Sequence, residues 1–424
     1  MRIASAALLV LGLIACSRTD SATRANEWRG ERDTVGDTLV VRTLSGSTWG
    51  EPVHLVQRMS IGVADGAEEL MLGDIQSIAV AGDGSVYIMD GQTALKKFGP
   101  DGTYLRTFGR VGSGPGEYRR PDGGLAALPD GRVVLRDPGN GRLAVFSPEG
   151  EPLATWRISS NFNTSQKLYS DRAGNLFTEI LFVQESDDWV VGLLRFDSTG
   201  TARDSIRVPK WPHERSVIKG QSKNNTSISD VPFTPQEHWT FNPGGYIVGG
   251  VPTAYRLDVL RPGAPLRIER NADPVLVQDQ EAADYKRART ENFQRQFPGW
   301  VWNGPAVPRT KPAYRDIFSG EDGRIWVQLY GVGVKDSAAA EAPTPRVYNE
   351  PGWSEPVVFD VFEPDGRYLG SVTTPSGFLV FPEPVFRGDT VWAAVEDDDG
   401  VRYVRRFEFA RGERRTGEGK EPGE

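Results

Sequence analysis

The chain has 424 residues, of which 38% are hydrophobic and 25% charged, and its 57 acidic against 49 basic side chains give a formal net charge of -8. This length can bury a large core and by itself suggests two or three domains, whereas the acidic balance argues against a nucleic-acid-binding protein. The single Cys excludes an intramolecular disulfide and a multi-cysteine zinc or iron–sulfur site.

The first predicted element is a signal peptide. Arg2 precedes an apolar run from Ile3 to Ala15 that only Ser5 and Gly12 interrupt. This run is too short for a membrane-spanning helix, which needs about 20 apolar residues. We therefore predict that residues 1–15 direct export and are then removed.

The apolar run ends in Leu13-Ile14-Ala15-Cys16, which resembles the bacterial lipobox. In that family the signal is cleaved before the cysteine, and the thiol carries a diacylglycerol. The resemblance implies that Cys16 is lipidated and anchors the protein to a membrane outside the cytoplasm. Ser17, where an Asp would resemble an inner-membrane retention signal, favours the outer membrane. The alternative is an ordinary secretory signal with an incidental cysteine. Residues 16–36 are polar and aperiodic, which predicts a flexible tether.

The body of the chain contains a repeat of short β-strands separated by Gly turns. One element is an alternating strand after a turn, and it occurs six times, at 84–89, 131–135, 174–177, 245–248, 323–327 and 389–392. A second element closes on Phe followed by a Gly turn, with strict spacing at Phe98/Gly102, Phe146/Gly150, Phe196/Gly200 and Phe362/Gly366. Each repeat thus predicts a four-stranded antiparallel unit.

Six such units predict an all-β fold, a six-bladed β-propeller with four-stranded antiparallel blades over residues 37–412. The length is then that of one domain. The last repeat lacks a fourth strand, because residues 413–424 are polar and predict a disordered tail. An unpaired edge would be left open, so we expect the β-rich run Thr38–Leu44 to close the ring as the outer strand of the last blade.

One insertion departs from the β pattern. Residues 278–297 place Ala282, Tyr285, Ala288, Phe293 and Phe297 on one helical face. This spacing predicts a helix that packs its apolar face on the rim of the propeller.

The repeats resemble the NHL-type repeats of bacterial six-bladed propellers with the TolB-like superfold. The most specific signature is Gly112-Ser113-Gly114-Pro115-Gly116-Glu117-Tyr118, followed by Pro121. The segment from Trp302-x-Gly304-Pro305 to Lys311-Pro312-Ala313 also resembles these lipoproteins. The resemblance implies a fold and an extracytoplasmic location, whereas most such proteins have no assigned activity and fold does not fix function.

Catalytic signatures are weak. The glycine-rich loop 112–116 lacks the G-K-[ST] ending and the following helix of a phosphate-binding loop, so a structural turn is expected there. The three histidines do not have metal-ligand spacing. Enzymes of related propeller shape, such as lactonase-like hydrolases and lyases, bind one divalent metal in the channel. That alternative would use Asn161, Asn163, Glu117 and Asp316, and otherwise no cofactor is predicted.

The preferred prediction is a binding face formed by the loops that lead into the inner strands. Two such loops combine cations and aromatic side chains, and the candidate ligand-binding residues are Arg110, Glu117, Tyr118, Arg119, Arg120, Trp302, Lys311, Tyr314 and Arg315. If both loops face the channel, they would hold an anionic or carbohydrate-like ligand, or an acidic segment of a partner protein. The alternative is that these side chains are solvated or cap strands. The sequence thus predicts a lipid-anchored binding module that contacts the membrane and no nucleic acid.

Overall fold

The computed structural model describes residues 26–91, 94–158, 167–182, 190–335 and 351–411. The signal peptide, Cys16 and the tail at 413–424 lie outside these ranges, as do Asn161 and Asn163. Within the described ranges, no helix is both long enough and apolar enough to cross a membrane.

The described chain is mostly β-strand. The N-terminal strands are β1 (Arg29–Val35), β2 (Thr38–Ser45) and β3 (Val53–Ile61). Unit 1 consists of β4 (Ile75–Val80), β5 (Val86–Asp90), β6 (Ala94–Phe98) and β7 (Tyr104–Phe108). A short parallel pair follows, β8 (Arg110–Val111) and β9 (Glu117–Tyr118). Unit 2 consists of β10 (Leu125–Ala127), β11 (Val133–Asp137), β12 (Arg142–Phe146) and β13 (Pro152–Arg157).

The same four-stranded antiparallel unit recurs along the chain. Unit 3 consists of β14 (Leu168–Ser170), β15 (Leu176–Phe182), β16 (Val190–Phe196) and β17 (Ala202–Arg207). A hairpin follows, β18 (Val217–Gln221) and β19 (Thr226–Asp230). Unit 4 consists of β20 (His238–Asn242), β21 (Tyr246–Gly250), β22 (Arg256–Leu260) and β23 (Leu266–Arg270). The helix α1 (Asp279–Gln296) follows unit 4.

Two further units complete the order. Unit 5 consists of β24 (Asp316–Ser319), β25 (Ile325–Gln328), β28 (Val358–Phe362) and β29 (Tyr368–Thr373). Its long central connection carries the antiparallel pair β26 (Val334–Lys335) and β27 (Trp353–Ser354). Unit 6 consists of β30 (Val385–Arg387), β31 (Thr390–Glu396), β32 (Arg402–Arg411) and, from the N-terminal segment, β3.

The outer strand of unit 6 is β3, so the prediction that Thr38–Leu44 fills this position is wrong. β3 pairs antiparallel with β32 and, through a short parallel ladder, with β29 of unit 5. Val53, Leu55, Met59 and Ile61 of β3 are buried. A register shift between Gln57 and Met59 and the exposed polar residues there hide this alternation in the sequence. β2 instead pairs in parallel with β23 and extends unit 4.

In units 1 to 5, Gly turns join the first two and the last two strands, as the repeat predicts, whereas in unit 6 a Gly turn joins only the first two, because β3 comes from the N-terminal segment. The glycine of each Phe-x-x-x-Gly element has a positive φ, between 83° and 88° for Gly102, Gly150, Gly200 and Gly366. This backbone region favours glycine because a side chain there meets its own carbonyl. In each of these four hairpins the strand register shifts at the Phe. The Phe–Gly spacing therefore marks a bulged tight turn.

Neighbouring units pack through apolar clusters that both units share. Trp156 of unit 2 stacks on Phe196 of unit 3 with ring centroids 5.7 Å apart. Trp326 of unit 5 stacks on Phe386 of unit 6 at 4.2 Å, and Trp392 of unit 6 belongs to the apolar cluster of unit 1. These three tryptophans therefore pack between units, and truncating such a buried ring to Ala costs about 3–5 kcal/mol.

The insertion after unit 4 forms a helix, and its buried face is in part the predicted one. Phe293 and Phe297 are buried as predicted, whereas Ala282 and Tyr285 are half-buried and Glu281 and Asp284 are fully buried. The helix begins with a capping box between Gln278 and Glu281. Apolar spacing could not reveal this face, because two buried carboxylates occupy part of it.

Strand direction divides the connections between two faces of the molecule. The tight Gly turns within the units lie on one face, which we call the turn face. The connections between the second and third strands, and those between successive units, lie on the other. We call it the loop face, and its longest connections are 208–237, 271–315 and 329–357.

Candidate functional site

The first strands of all the units line one cavity of about 700 Å³. Its walls contain residues of β4, β10, β14, β20, β24 and β30, together with the connections that precede several of these strands. A cavity of this volume can enclose a small organic molecule. We call it the central cavity.

Aromatic rings form much of the wall of the central cavity. Tyr169, Phe241, Phe318, Phe381 and Phe386 line it. Tyr169 and Phe241 are in contact, with ring centroids 5.8 Å apart, and Phe318 and Phe386 lie 5.9 Å apart. Phe381 is 63% exposed, an unusual position for a large apolar ring. The wall thus offers apolar and π surface to a bound molecule.

An ion pair crosses the loop-face mouth of the cavity. Lys167, directly before β14, places its Nζ 2.7 Å from Oε2 of Glu383, which precedes β30. Burial lowers the pKa of Lys167, but the carboxylates of Glu383 and Asp316 outweigh it and raise that pKa well above its ordinary value. The Lys167 side chain is therefore positively charged at physiological pH. Its ammonium also lies 5.8 Å from the centre of the Phe318 ring.

A second polar pair joins units 4 and 5 beside this ion pair. His238 Nδ1, at the start of β20, lies 3.3 Å from Oδ1 of Asp316, at the start of β24. Burial raises the pKa of Asp316, but the hydrogen bond from His238 and the charge of Lys167 outweigh it and hold the pKa below its ordinary value. Asp316 is therefore a carboxylate at neutral pH. It also accepts a 2.8 Å hydrogen bond from the Ile317 amide, which fixes its orientation.

The predicted residues Arg110 and Glu117 lie in the connection between units 1 and 2, and they bind each other. Arg110 Nε donates a 2.7 Å hydrogen bond to Glu117 Oε1, while the Gly114 amide donates one of 2.7 Å to Oε2. The Gly114 amide and the Arg110 guanidinium hold the pKa of Glu117 below its ordinary value. Arg142 donates to the carbonyls of Gly114 and Glu117. The glycine-rich loop is thus a structural turn, as predicted.

The next three predicted residues do not form a common surface. Tyr118 is fully buried in the core between units 1 and 2. Arg119 and Arg120 are exposed, and the Arg119 amide donates to Asp137 Oδ1 at 2.6 Å. Arg120 has a φ of 56°. The prediction that Tyr118 contributes to a binding surface is therefore wrong, because its ring fills the core.

Lys311 is also internal. Its side chain is inaccessible, and Nζ lies 2.7 Å from Glu281 Oε1, 2.8 Å from Glu355 Oε1 and 3.1 Å from the Gly331 carbonyl. The exposed Arg315 lies 3.7 Å from the other Glu355 oxygen. The sequence placed Lys311 at a ligand-binding mouth, but the structure uses it to join α1 to the connection between β25 and β28.

Trp302 and Tyr314 have structural contacts as well. The half-buried Trp302 donates to the carbonyls of Gly304 and Pro305, each at 2.9 Å. Tyr314 is fully buried and donates to the Arg256 carbonyl at 3.2 Å, and burial raises its pKa above the ordinary value. Neither ring can therefore rotate freely into a ligand site.

None of the nine predicted binding residues is among the residues that line the central cavity. Residues of the two loops line different cavities, Pro115 and Gly116 one and Lys311 and Arg315 others, so the expected convergence of their cations on the central cavity is wrong. The charged residues of the described lining are one ammonium, that of Lys167, and the carboxylates of Asp316, Glu321 and Glu383. Sequence reasoning found Asp316 alone, as a candidate metal ligand. Lys167 and Glu383 each lie just before the first strand of a unit. A charged residue at such a position is too common for the sequence to identify these two as cavity residues.

Side chains that could ligate a metal ion do not cluster in the described ranges. Within these ranges, no group of three or more His, Cys, Asp or Glu side chains is arranged to hold a metal ion.

A second cavity, of about 970 Å³, lies beside unit 4 and is lined by Tyr255, Arg270, Lys311 and Tyr330, among others. Arg270 and Lys311 are both held there by internal carboxylates, Arg270 by Asp360.

No protein-family model and no curated protein matches the chain, but solved structures do. An exported protein of Bacteroides fragilis has 10% identity over 85% of this chain and 96% of that one, with a TM-score of 0.45. A member of the DUF4221 family from Bacteroides vulgatus has 11% identity over 85% and 99%, with a TM-score of 0.46. A catalytically inactive virginiamycin B lyase of Staphylococcus aureus, solved with quinupristin, has 10% identity over 84% and 99%, with a TM-score of 0.36. Matches at these identities and TM-scores carry no argument about function.

Proposed function

We propose that the protein is a lipid-anchored, extracytoplasmic binding module whose units form a closed six-bladed β-propeller, and that it binds a small organic ligand in the central cavity. The observation that carries this proposal is the cavity itself, to which the first strand of every unit contributes. Rigid strands fix its walls, whereas long connections surround its mouth.

The location rests on the sequence. The apolar run Ile3–Ala15 followed by Cys16 supports export and lipidation, and both stay predictions, as does the resemblance to NHL-type repeats. Residues 29–35 of the predicted tether form β1, which pairs with β2, so that part of the prediction is wrong. Only the segment between Cys16 and β1 would separate the folded units from the membrane surface. An anchored module of this kind can capture a ligand without leaving the membrane.

The binding residues in this proposal differ from those predicted. The aromatic wall and the charged mouth replace the two loops, since most of the predicted side chains are buried or held by internal partners. A concave, mostly apolar site with a few fixed polar groups is typical of small-molecule binding. The alternative of a metal-dependent hydrolase or lyase stays a prediction.

Ligand binding can be tested by screening a library of small aromatic compounds against the purified protein by ligand-observed NMR. We expect hits whose affinity falls by about tenfold in Phe381→Ala, because one exposed wall ring contributes about 1 kcal/mol or more to the binding free energy. Leu105→Ala is the matched control, because Leu105 is likewise about half exposed but lies on β7, away from the cavity.

Hits that bind both variants as tightly as they bind the wild type would place binding elsewhere and contradict the proposal. The absence of any hit would contradict it as well. Thermal melts of both variants should match the wild type, since both side chains are exposed.

A further inference from the structure

A side-chain cation of the protein itself, the ammonium of Lys167, lies at the mouth of the central cavity. It lies 2.7 Å from the Glu383 carboxylate and above the Phe318 ring, and the Asp316 carboxylate acts on it electrostatically. The side chains of Lys167 and Glu383 are 33% and 32% exposed, so solutes can reach the pair. A positive charge between carboxylates and above an aromatic face is the arrangement by which proteins bind organic ammonium groups.

We propose that the central cavity binds small organic cations, an ammonium group on an apolar body, by displacing Lys167 from Glu383. This inference rests on the proposed ligand binding in the central cavity and names the class of ligand. The cation takes the place of the Lys167 ammonium, and its apolar body contacts the aromatic wall.

The two partners of the ion pair are not equally easy to displace. Lys167 has a flexible four-carbon side chain, so its ammonium can turn toward solvent when another cation pairs with Glu383 in its place. Glu383 stands between Pro382 and Pro384, which restrict its backbone. Asp316 is held by the Ile317 amide and by His238. The carboxylates are therefore fixed, and the ammonium is the group that can leave.

The charge balance also favours a cation over an anion. An anion that bound Lys167 would have to displace Glu383 and would lie beside the Asp316 carboxylate. Glu383 would then lack its ion-pair partner, and the anion would repel the Asp316 carboxylate, which is unfavourable in a partly desolvated site. A cation leaves both carboxylates paired. The expected ligand thus has the opposite charge to the one that the sequence suggests.

A matched series of probes tests the inference by isothermal titration calorimetry. Benzylammonium, benzyl alcohol and phenylacetate share a ring and a methylene group and differ in the charge of the third group. We expect benzylammonium to bind the wild type about tenfold more tightly than either of the others, as one partly desolvated cation–π and ionic contact allows.

Two variants give opposite expected changes. Glu383→Gln should weaken the binding of benzylammonium by about fivefold to tenfold and leave the binding of benzyl alcohol unchanged, because it removes one charge at a partly exposed site. Lys167→Met should strengthen the binding of benzylammonium by about fivefold, because the competing ammonium is gone. A gain of binding cannot result from unfolding. Glu214→Gln and Lys223→Met, at exposed positions away from the cavity lining, are the charge-matched controls.

The outcomes separate this inference from the proposed function. If phenylacetate binds most tightly and Lys167→Met abolishes its binding, the cavity binds anions, which overturns the cation inference and leaves ligand binding intact. Equal binding of all three probes, with no effect of either variant, has the same consequence. If none of the probes binds while library hits still do, the cation inference alone fails. If no compound of any kind binds, both proposals fail.

Discussion

The turn face and the loop face of this molecule are built in different ways. On the turn face, short connections of similar length repeat from unit to unit, and their glycines have positive φ values, for example 86° at Gly84 and Gly131 and 91° at Gly323. Aspartate side chains cap several of these turns, as Asp83 does for the Ser85 amide. The geometry of each turn follows from a few local residues.

The loop face has connections of very unequal length, and long-range contacts hold them together. The connection 271–315 contains α1, and it joins the connection 329–357 through Lys311, Glu281 and Glu355. These residues are far apart in the sequence, and no local rule pairs them. The difference teaches that the repeat encodes the scaffold on one face, whereas the other face carries the connections in which function can vary.

The largest effect is expected from removing the buried cation of the loop face. Lys311→Met leaves the buried Glu281 carboxylate without its counter-charge and leaves Glu355 with only the more distant Arg315, which should lower the free energy of unfolding by about 3–5 kcal/mol. Arg315→Met is the matched control, since its 46% exposed side chain lies 3.7 Å from Glu355, and it should cost less than about 1 kcal/mol. Urea denaturation measures both. Equal losses would show that the loop face does not depend on this buried network.

A somewhat smaller effect is expected at the turn face. A Cβ at Gly200 would overlap the indole ring of Trp156 in the preceding unit, whereas a Cβ at Gly174 of the same unit meets nothing within 4 Å. Both glycines have a positive φ, 83° and 79°. Gly174→Ala should therefore lower the free energy of unfolding by about 1 kcal/mol, from backbone strain alone. Gly200→Ala should lower it by about 2–4 kcal/mol, because it also disturbs the contact between units. If both variants lost the same stability in urea, the turns would be independent of unit packing.

The smallest effect concerns alkaline pH. Burial raises the pKa of Tyr118, at the loop face, and that of Tyr87, in unit 1, each to about 12. An unfolded chain ionises these phenols near pH 10, so the folded state keeps its protons longer. The contribution of these two phenols to the free energy of unfolding is therefore complete below about pH 10 and is lost as the pH rises toward 12.

Tyr118→Phe should remove part of this dependence, up to about 2 kcal/mol between pH 10 and 12, and adding Tyr87→Phe should remove more. Thermal melts at a series of pH values measure the slope. A wild-type slope in the double variant would contradict the assignment of these two buried phenols. Tyr118 lies in β9, within the connection between units 1 and 2, and Tyr87 lies in β5 inside unit 1, so their contributions compare a loop-face connection with the strands of a unit.

Sequence reasoning was most successful where the relevant interaction is local. The Phe–Gly spacing identified four bulged turns, and the alternating runs identified the strands that flank them. It failed for β3, whose alternation is interrupted by the polar pair Gln57 and Arg58 at a register shift. It failed again for Tyr118, Lys311 and Tyr314, because an aromatic or basic residue in a loop has the same signature whether it is buried or exposed.

The sequence by itself determined the repeat, the turn positions and the four-stranded units, because positive φ angles, tight hairpins and alternating burial depend on residues close together in the chain. Only the tertiary structure decided which N-terminal strand completes unit 6 and which side chains reach the central cavity. Lys167, Asp316 and Glu383 come from three different units. Their proximity depends on how the units close around the cavity, and no spacing along the chain records it. The sequence alone therefore could not predict which charged side chains lie at the cavity mouth.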